Sequence, residues 1–428
     1  MKFRLNFILL LSILLFFSCN TPGKVATSKS PTQKSEEKQS KHDDVIPTKK
    51  DTIAVNDRGV PDPKKVEEPK KEEGKKRQKR DVINVVIALP MDGSYDVARF
   101  ADFVNGMTVS SKDINSGQGK LKLNVINIGN KNSEQELLSN AGIAGADIIV
   151  GGFQTSQVKS LAKIASDKNV PYISPWNTSE GIITDNTYYV QLKPALATYC
   201  EKMAEFVSTE IRPQIVYIIV ESQTSKENVT VERFTKVYDN KHISYKVIQA
   251  DQGGEWKNTL ANYNNIVVNI PNWENKSFVT NTLQQLNALK KNKSIIATGM
   301  PQWTEWDQLD FNLFESLSLH IPSFNYVDQE SMNAGIFNQN YFNSYNNWPT
   351  AESYYGSDIL TIIRKVAGNI MDGKRYDPID QISGNFFSHY RLSNYKMPDP
   401  ELGTGGSYFH NTYITIQKFE GGRFVPVQ

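Results

Sequence analysis

Short β-branched runs alternate with segments of helical period along most of this chain, and that alternation constrains its fold more than any other feature. The run 83–89, Ile-Asn-Val-Val-Ile-Ala-Leu, is closed by Pro90 and Gly93 and reads as a buried strand. Val97, Ala101, Val104 and Met107 follow at helical spacing, 121–128 alternates as a strand, and 134–140 reads as a helix. A buried strand at 147–150 ends in Gly151-Gly152. Val158, Leu161, Ala162 and Ala165 then mark one face of a helix, before a strand opening at Pro171-Tyr172-Ile173. A second series starts near Arg212, with strand 215–220, helix 229–238, strands 244–249 and 265–270, helix 278–289 and strand 294–298. This spacing predicts βαβ units, hence an α/β fold of doubly wound, mostly parallel sheets flanked by helices. A chain of 428 residues also exceeds the size at which one core stops growing. Two such series predict two lobes, with the cleft between them as the default ligand site.

The pattern begins abruptly at Asp81. Residues 20–80 contain no Phe, Tyr or Trp and are dense in Lys, Glu, Pro, Ser and Thr. Such a stretch buries too little apolar surface to offset its ordering entropy, so it is predicted to be disordered. Its mixed charges, Lys70-Lys71-Glu72-Glu73, and its basic end, Lys75-Lys76-Arg77-Gln78-Lys79-Arg80, suit either a solvated spacer or contact with anionic lipid or wall polymer. As a flexible coil it reaches roughly 45 Å. Ahead of it, Lys2 and Arg4, an apolar run over 7–17 and Ser18-Cys19 read as an export signal. The run is too short to span roughly 30 Å of hydrocarbon as a helix.

Composition removes several functions. Lysine plus arginine number 48 against 46 acidic residues, a net charge of +2, so nothing drives the chain toward nucleic acid. Two cysteines make no disulfide scaffold, and the five histidines lie far apart without an i, i+4 pair, which disfavours a metal site. No Gly-x-Ser-x-Gly, His-Glu-x-x-His or phosphate-loop motif is present, and Gly403-Thr404-Gly405-Gly406 lacks the lysine such a loop needs. The expectation is a binding protein with no catalytic residues, no metal and no cofactor.

Several of these segments together resemble a known family. Ala146-Asp147-Ile148-Ile149-Val150-Gly151-Gly152, Thr155-Ser156, Val170-Pro171-Tyr172-Ile173-Ser174-Pro175 and Thr178 resemble the N-terminal lobe of type I periplasmic solute-binding proteins. That family includes the branched-chain amino acid binders of ABC importers. Tyr354-Tyr355-Gly356-Ser357-Asp358 resembles its late Gly-Tyr-Asp helix and 412–427 its closing strands, so the similarity covers about 83–428. The pattern is similar to that of Bacteroidetes envelope proteins of this fold which often carry a LysM module, although no LysM pattern is visible. Ser18-Cys19 resembles a bacterial lipobox, implying a signal peptide at 1–18, lipidation of Cys19, and a tether over 19–80 that holds the body to a membrane. Asn20, in place of aspartate, implies sorting to the outer membrane, facing the periplasm. In this family the chain crosses between lobes three times. Carried over, lobe one is 81–200 plus 326–372 and lobe two is 201–325 plus 373–428.

Candidate ligand contacts follow from sheet geometry and from the resemblance. Ligands of open parallel sheets sit beyond the strands' carboxyl ends, where helix N-termini offer free N–H groups. Thr155 and Ser156 lie in such a loop, which in amino acid binders holds the ligand carboxylate; either also suits a helix N-cap. Trp176, Asn177 and Thr178 form a second loop, in which Thr178 aligns with the family's contacting threonine and Trp176 replaces a small residue. In the second lobe the candidates are Ser222, in a loop lacking the family's Tyr-Gly pair, and Trp273 and Trp303, which suit either stacking on a ring or core packing. No carboxylate aligns near 299–303 to meet a ligand ammonium, since Glu305 lies a few residues too late. The resemblance thus implies capture of a small polar ligand, with a transporter or receptor reading the closed form. The alternative is an envelope regulatory or scaffold module that binds a protein such as a cell-wall synthase complex, or peptidoglycan, as the lipoprotein activator of penicillin-binding proteins does.

Overall fold

The computed structural model describes residues 81–92, 97–111, 120–183, 185–222, 225–250, 256–290, 293–306, 310–374, 376–378, 382, 386–396 and 407–427. Cys19, the export signal and the tether expected over 1–80 lie outside these residues. The chain opens with β1 (Val82–Leu89), α1 (Val97–Ser111), β2 (Lys120–Asn127), α2 (Glu134–Leu138), α3 (Ala141–Ala144), β3 (Ile148–Gly151), α4 (Thr155–Lys168), β4 (Tyr172–Ser174) and β5 (Tyr189–Gln191). It continues through α5 (Leu196–Phe206), β6 (Ile215–Val220), α6 (Ser225–Asn240), β7 (Tyr245–Gln249), α7 (Trp256–Thr259), β8 (Asn265–Asn269), α8 (Lys276–Leu289), β9 (Ser294–Thr298), α9 (Phe311–Ser316) and β10 (His320–Ser323). It closes with α10 (Met332–Tyr345), α11 (Ala351–Met371), β11 (Leu392–Lys396), β12 (Ser407–Asn411), β13 (Thr415–Glu420) and β14 (Arg423–Pro426).

Two seven-stranded sheets result, ordered β2-β1-β3-β4-β5-β12-β11 and β7-β6-β8-β9-β10-β13-β14. Each begins with five parallel strands in the order 2-1-3-4-5, and each ends in antiparallel pairing, β11 with β12 in one and β10 with β13 and β13 with β14 in the other. Covered on both faces, β6 is buried at every position, as its unbroken Ile-Val-Tyr-Ile-Ile-Val sequence requires. β2 lies at an edge and exposes Val125, which is why its sequence alternates. Val158, Leu161, Ala162 and Ala165 of α4 are all buried. In α1 the buried stripe runs through Phe100, Phe103 and Met107, with Val97, Ala101 and Val104 only half-buried beside it.

The chain crosses between the sheets three times: between β5 and α5, between β10 and α10, and between β12 and β13. Two lobe boundaries differ from those implied by the resemblance. The segment 373–428, expected whole in the second lobe, is divided, because β12 pairs with β5 through Phe409–Val190 and His410–Gln191 and carries β11 with it. Tyr408 of β12 packs its ring 5.3 Å from that of Tyr189, in the core of the first lobe. The first crossing also comes before residue 200, since Cys200, Met203 and Ala204 of α5 belong to the second core. Asn411, fully buried, links two crossings: its Nδ2 donates to the Leu192 carbonyl at 3.1 Å, and its Oδ1 accepts from the N–H groups of Arg391 (2.9 Å) and Tyr413 (3.0 Å).

In the first lobe α1 and α11 pack backbone to backbone. A Cβ on Gly106 would stand 1.8 Å from the Ser353 carbonyl oxygen, and one on Gly356 would stand 2.0 Å from that of Phe103. Both glycines lie inside helices, where alanine is intrinsically preferred by about 1 kcal/mol. Their presence therefore reflects the approach of the two axes. Gly356→Ala should lower unfolding free energy by roughly 3 kcal/mol through overpacking, measured by chemical denaturation; an unchanged or higher stability would show that the helices are not in this contact.

Candidate functional site

The main cavity among the described residues has a volume of about 900 Å³ and lies between the two sheets, beyond the carboxyl ends of their strands. The first lobe supplies Arg99 from the first turn of α1, Phe153 from the loop after β3, and Trp176 and Thr178 from the loop after β4. The second supplies Trp273 after β8 and the turn Pro301–Glu305 after β9, the crossing segments add Lys193 and Phe324, and α5 adds Tyr199. This is the site that the strand order predicts, since each sheet has its switch point beside its first strand.

An aromatic cluster forms the wall on the first-lobe side. Trp176 packs against Phe100 (ring centroids 5.1 Å), Phe103 (4.8 Å) and Phe153 (6.3 Å), and Tyr355 packs against Phe103 (6.0 Å) and Phe324 (5.5 Å). The Trp176 indole Nε1 donates to Glu352 Oε2 at 3.1 Å, and the Tyr355 hydroxyl donates to the Pro175 carbonyl at 2.7 Å, so two successive residues at the start of the β4 loop are tied to α11. Glu352 in turn receives Arg99 Nε at 2.5 Å, and the same guanidinium lies 3.7 Å from Glu305 of the other lobe. Glu305, which in sequence falls beyond the position where amino acid binders place an acid, thus lines the cavity and faces Arg99.

Of the residues expected from sequence to meet a ligand, Trp176, Thr178 and Trp273 line this cavity, whereas the structure places the others elsewhere. Thr155 and Ser156 are exposed in the first turn of α4 and do not border the cavity; the N-cap position falls to Gln154. The loop before them turns inward through Gly151 and Gly152, at φ of 120° and 70°, and a Cβ on Gly151 would sit 2.1 Å from the Ala88 carbonyl oxygen. Gln157, fully buried, accepts the N–H groups of Phe153 and Gln154 on its Oε1, both at 3.2 Å, so donors expected to face a ligand are capped from within. Asn177 is buried and donates to the Tyr189 hydroxyl (3.0 Å) and Gln191 Oε1 (3.3 Å), which makes it a brace between strands.

The second lobe repeats this device. Glu227, buried in α6, accepts the N–H groups of Glu221 (2.9 Å) and Ser222 (3.1 Å) and Asn272 Nδ2 (3.2 Å), while the Ser222 side chain is exposed away from the cavity. Trp303, expected at the cleft, is a core residue at 1% exposure. It lies against Gly299, where a Cβ would come within 2.4 Å of its ring, and its Nε1 donates to the Asn272 carbonyl at 2.8 Å.

Sequence reading did not single out Lys193, Tyr199 or Gln302, each of which borders the cavity. Lys193 follows β5, with its ammonium 5.8 Å from the centre of the Phe324 ring. Burial, then the neighbouring Arg99 guanidinium, hold that ammonium below the usual lysine range, against the pull of Glu305 and Glu352. Burial, with the nearby Glu305 carboxylate, drives the Tyr199 hydroxyl well above the ordinary phenol value and keeps it neutral.

This architecture is the two-lobed type I periplasmic-binding fold, and solved structures of that fold are similar along nearly their whole length. A putative branched-chain amino acid ABC transporter protein from Rhodospirillum rubrum superposes with a TM-score of 0.58 at 11% identity, over 81% of this chain and 99% of its own. An ABC transporter substrate-binding protein from Desulfitobacterium hafniense in complex with Leu gives 0.54 at 15% identity, over 81% and 100%. The solute binding protein of an ABC transporter from Rhodopseudomonas palustris BisB5, in complex with 3,4-dihydroxy benzoic acid, gives 0.50 at 15% identity, over 81% and 95%. At these identities the likeness is one of fold. No protein-family model matches the chain, and no curated protein matches it in sequence.

The late-helix segment 354–358, part of the resemblance to this fold, holds the first lobe together. Asp358 is buried in α11 and accepts from the Phe387 N–H (2.7 Å), the Ser388 N–H (3.0 Å) and the Tyr390 hydroxyl (2.9 Å). Burial pushes its carboxyl up to about 7, against these three hydrogen bonds, which favour the ionised form. A folded-state value raised above the unfolded one contributes stability that is fully present below the unfolded pKa of about 4 and is lost as pH rises to about 7. Thermal melts should therefore show the gap between the wild type and Asp358→Asn narrowing over that window; a gap independent of pH would refute the assignment.

Proposed function

We propose that the protein is a membrane-anchored solute-binding lipoprotein, tethered through Cys19 to the outer membrane on its periplasmic side, that captures a small polar ligand in the inter-lobe cleft. The observation that carries this reading is the cavity itself. At about 900 Å³ it is at the upper end of the range for small-molecule sites, and it combines aromatic faces with a few convergent polar groups drawn from both lobes. Residues on opposite sides approach one another at Arg99 and Glu305, 3.7 Å apart, so hinge closure over a ligand needs only small displacements there. The neighbours of this fold named above belong to ABC transporters, and two of them are in complex with Leu and with 3,4-dihydroxy benzoic acid, which supports a transporter or receptor as the reader of the closed form.

A second reading, an envelope module that binds a protein such as a cell-wall synthase complex, or peptidoglycan, draws on a different observation. Gln157 caps from within the first-lobe loop that in amino acid binders holds the ligand carboxylate, and Glu227 caps the loop after β6 in the same way. Native mass spectrometry of the gently purified full chain separates the two readings. The expected result is a retained small molecule released on denaturation; a chain that carries none, and whose melting temperature no metabolite pool raises, favours the second. For the retained molecule, Trp176→Ala should weaken binding at least tenfold, whereas Thr155→Ala with Ser156→Ala should leave it within twofold, measured by titration calorimetry.

A further inference from the structure

Five charged side chains line the cleft among the described residues: Arg99, Asp102, Lys193, Glu305 and Glu352. Four of them already have partners. Arg99 binds Glu352 at 2.5 Å and faces Glu305 at 3.7 Å, and Asp102 accepts from the Thr350 hydroxyl at 2.9 Å and the Tyr341 hydroxyl at 3.2 Å. Lys193 is different. Among the described residues its ammonium makes no hydrogen bond and has no carboxylate within 4.0 Å; its contact there is the face of Phe324.

Two further groups at the same cleft lack partners. The Tyr199 side chain is 3% exposed and its hydroxyl has no hydrogen-bond partner, and Gln302 carries a buried side-chain oxygen in the same condition. Leaving a buried donor or charge unsatisfied costs stability, so such groups grouped at a cavity point to a ligand that completes them. The two switch-point loops do not compete for that ligand through the N–H groups that Gln157 and Glu227 occupy.

Resting on the solute-binding reading, we infer that the cleft recognises a carboxylate with a flat apolar body. The anionic end sits on the Lys193 ammonium and the Tyr199 hydroxyl, a donor group on the ligand meets the Gln302 oxygen, and the body lies against Trp176 and Phe324. An ammonium ligand has no comparable offer, because Glu352 and Asp102 are satisfied and Glu305 is shared with Arg99. In this arrangement the charge partner is supplied by the segment that joins the lobes. The aromatic walls contribute area, and the Lys193 contact sets the sign of charge selected.

Three probes sharing one ring test this by titration calorimetry on the full chain: phenylacetate, phenylacetamide and phenethylamine. The acid should bind at least tenfold more tightly than the amide. Lys193→Met should abolish that preference while leaving amide affinity within twofold, Lys193→Arg should keep it within threefold, and Tyr199→Phe should weaken acid binding about fivefold. Without ligand, Lys193→Met should melt at or above the wild-type temperature, since a half-buried cation with no ion-pair partner among the described residues has been removed; this separates lost recognition from lost folding. Amide or amine binding as tight as the acid, or a preference that survives Lys193→Met, overturns the inference and leaves the solute-binding reading intact. If none of the probes binds, the inference is overturned as well, and the native mass measurement decides whether the broader reading falls with it.

Discussion

The cleft depends on how closely α1 and α11 approach. With Gly106 under Ser353 and Gly356 under Phe103, the two helices meet without intervening side chains, and the first turn of α1 is brought beside the first turn of α11. That juxtaposition gives Arg99 its carboxylate partner in Glu352, and Glu352 fixes the indole of Trp176. Tyr355, one residue before the glycine, secures the backbone at Pro175. A backbone contact between two helices thus sets the positions of a cation, an anion and an aromatic face that no local sequence pattern relates.

The same helices show which parts of the fold are legible in sequence. Strands buried on both faces, such as β1, β6 and β9, are legible because their environment admits little except β-branched and small apolar residues. The face of α4 is legible from its period. β11 and β12 are not: Leu-Ser-Asn-Tyr-Lys and Ser-Tyr-Phe-His-Asn lie at the sheet's end, where one face or edge meets solvent, and which sheet they join is decided by pairing with the three-residue β5. Trp273 and Trp303 illustrate the limit for side chains. Both follow a strand of the second sheet, yet one borders the cleft while the other lies on Gly299 in the core, a difference made by the space over that glycine and by the Asn272 carbonyl that receives the indole. Lys193 and Tyr199 carry no motif, because what distinguishes them is that folding gives them no hydrogen-bond partner among the described residues.

Both lobes handle their switch-point loops in the same way. Gln157, three and four residues beyond the N–H groups it accepts, and Glu227, five and six beyond, supply from the protein what an anionic ligand supplies at an open loop of this type. The buried carboxylate of Glu227 also gathers Asn272, and Asn272 and Asn275 together hold Glu221, so the loops after β6 and β8 form one network. The N–H groups of these loops that Gln157 and Glu227 accept are satisfied without a ligand. On the reading proposed above, recognition falls to groups in or beside the first crossing, Lys193 and Tyr199, which border the same cavity.

Asn411 gives those segments a mechanical character. By holding Leu192 in one connection and Tyr413 in another, it joins two of the three crossings at a point, and the third passes close by with Phe324 beneath Lys193. Two spans riveted together resist sliding and yield mainly to rotation about the rivet. Lys193, next to Leu192, therefore lies beside that point, where a hinge motion of the lobes would displace it least. On the solute-binding reading proposed above, a ligand seated on Lys193 would meet the same contact whether the jaws were apart or together, and the rest of the cleft would swing in around that fixed point.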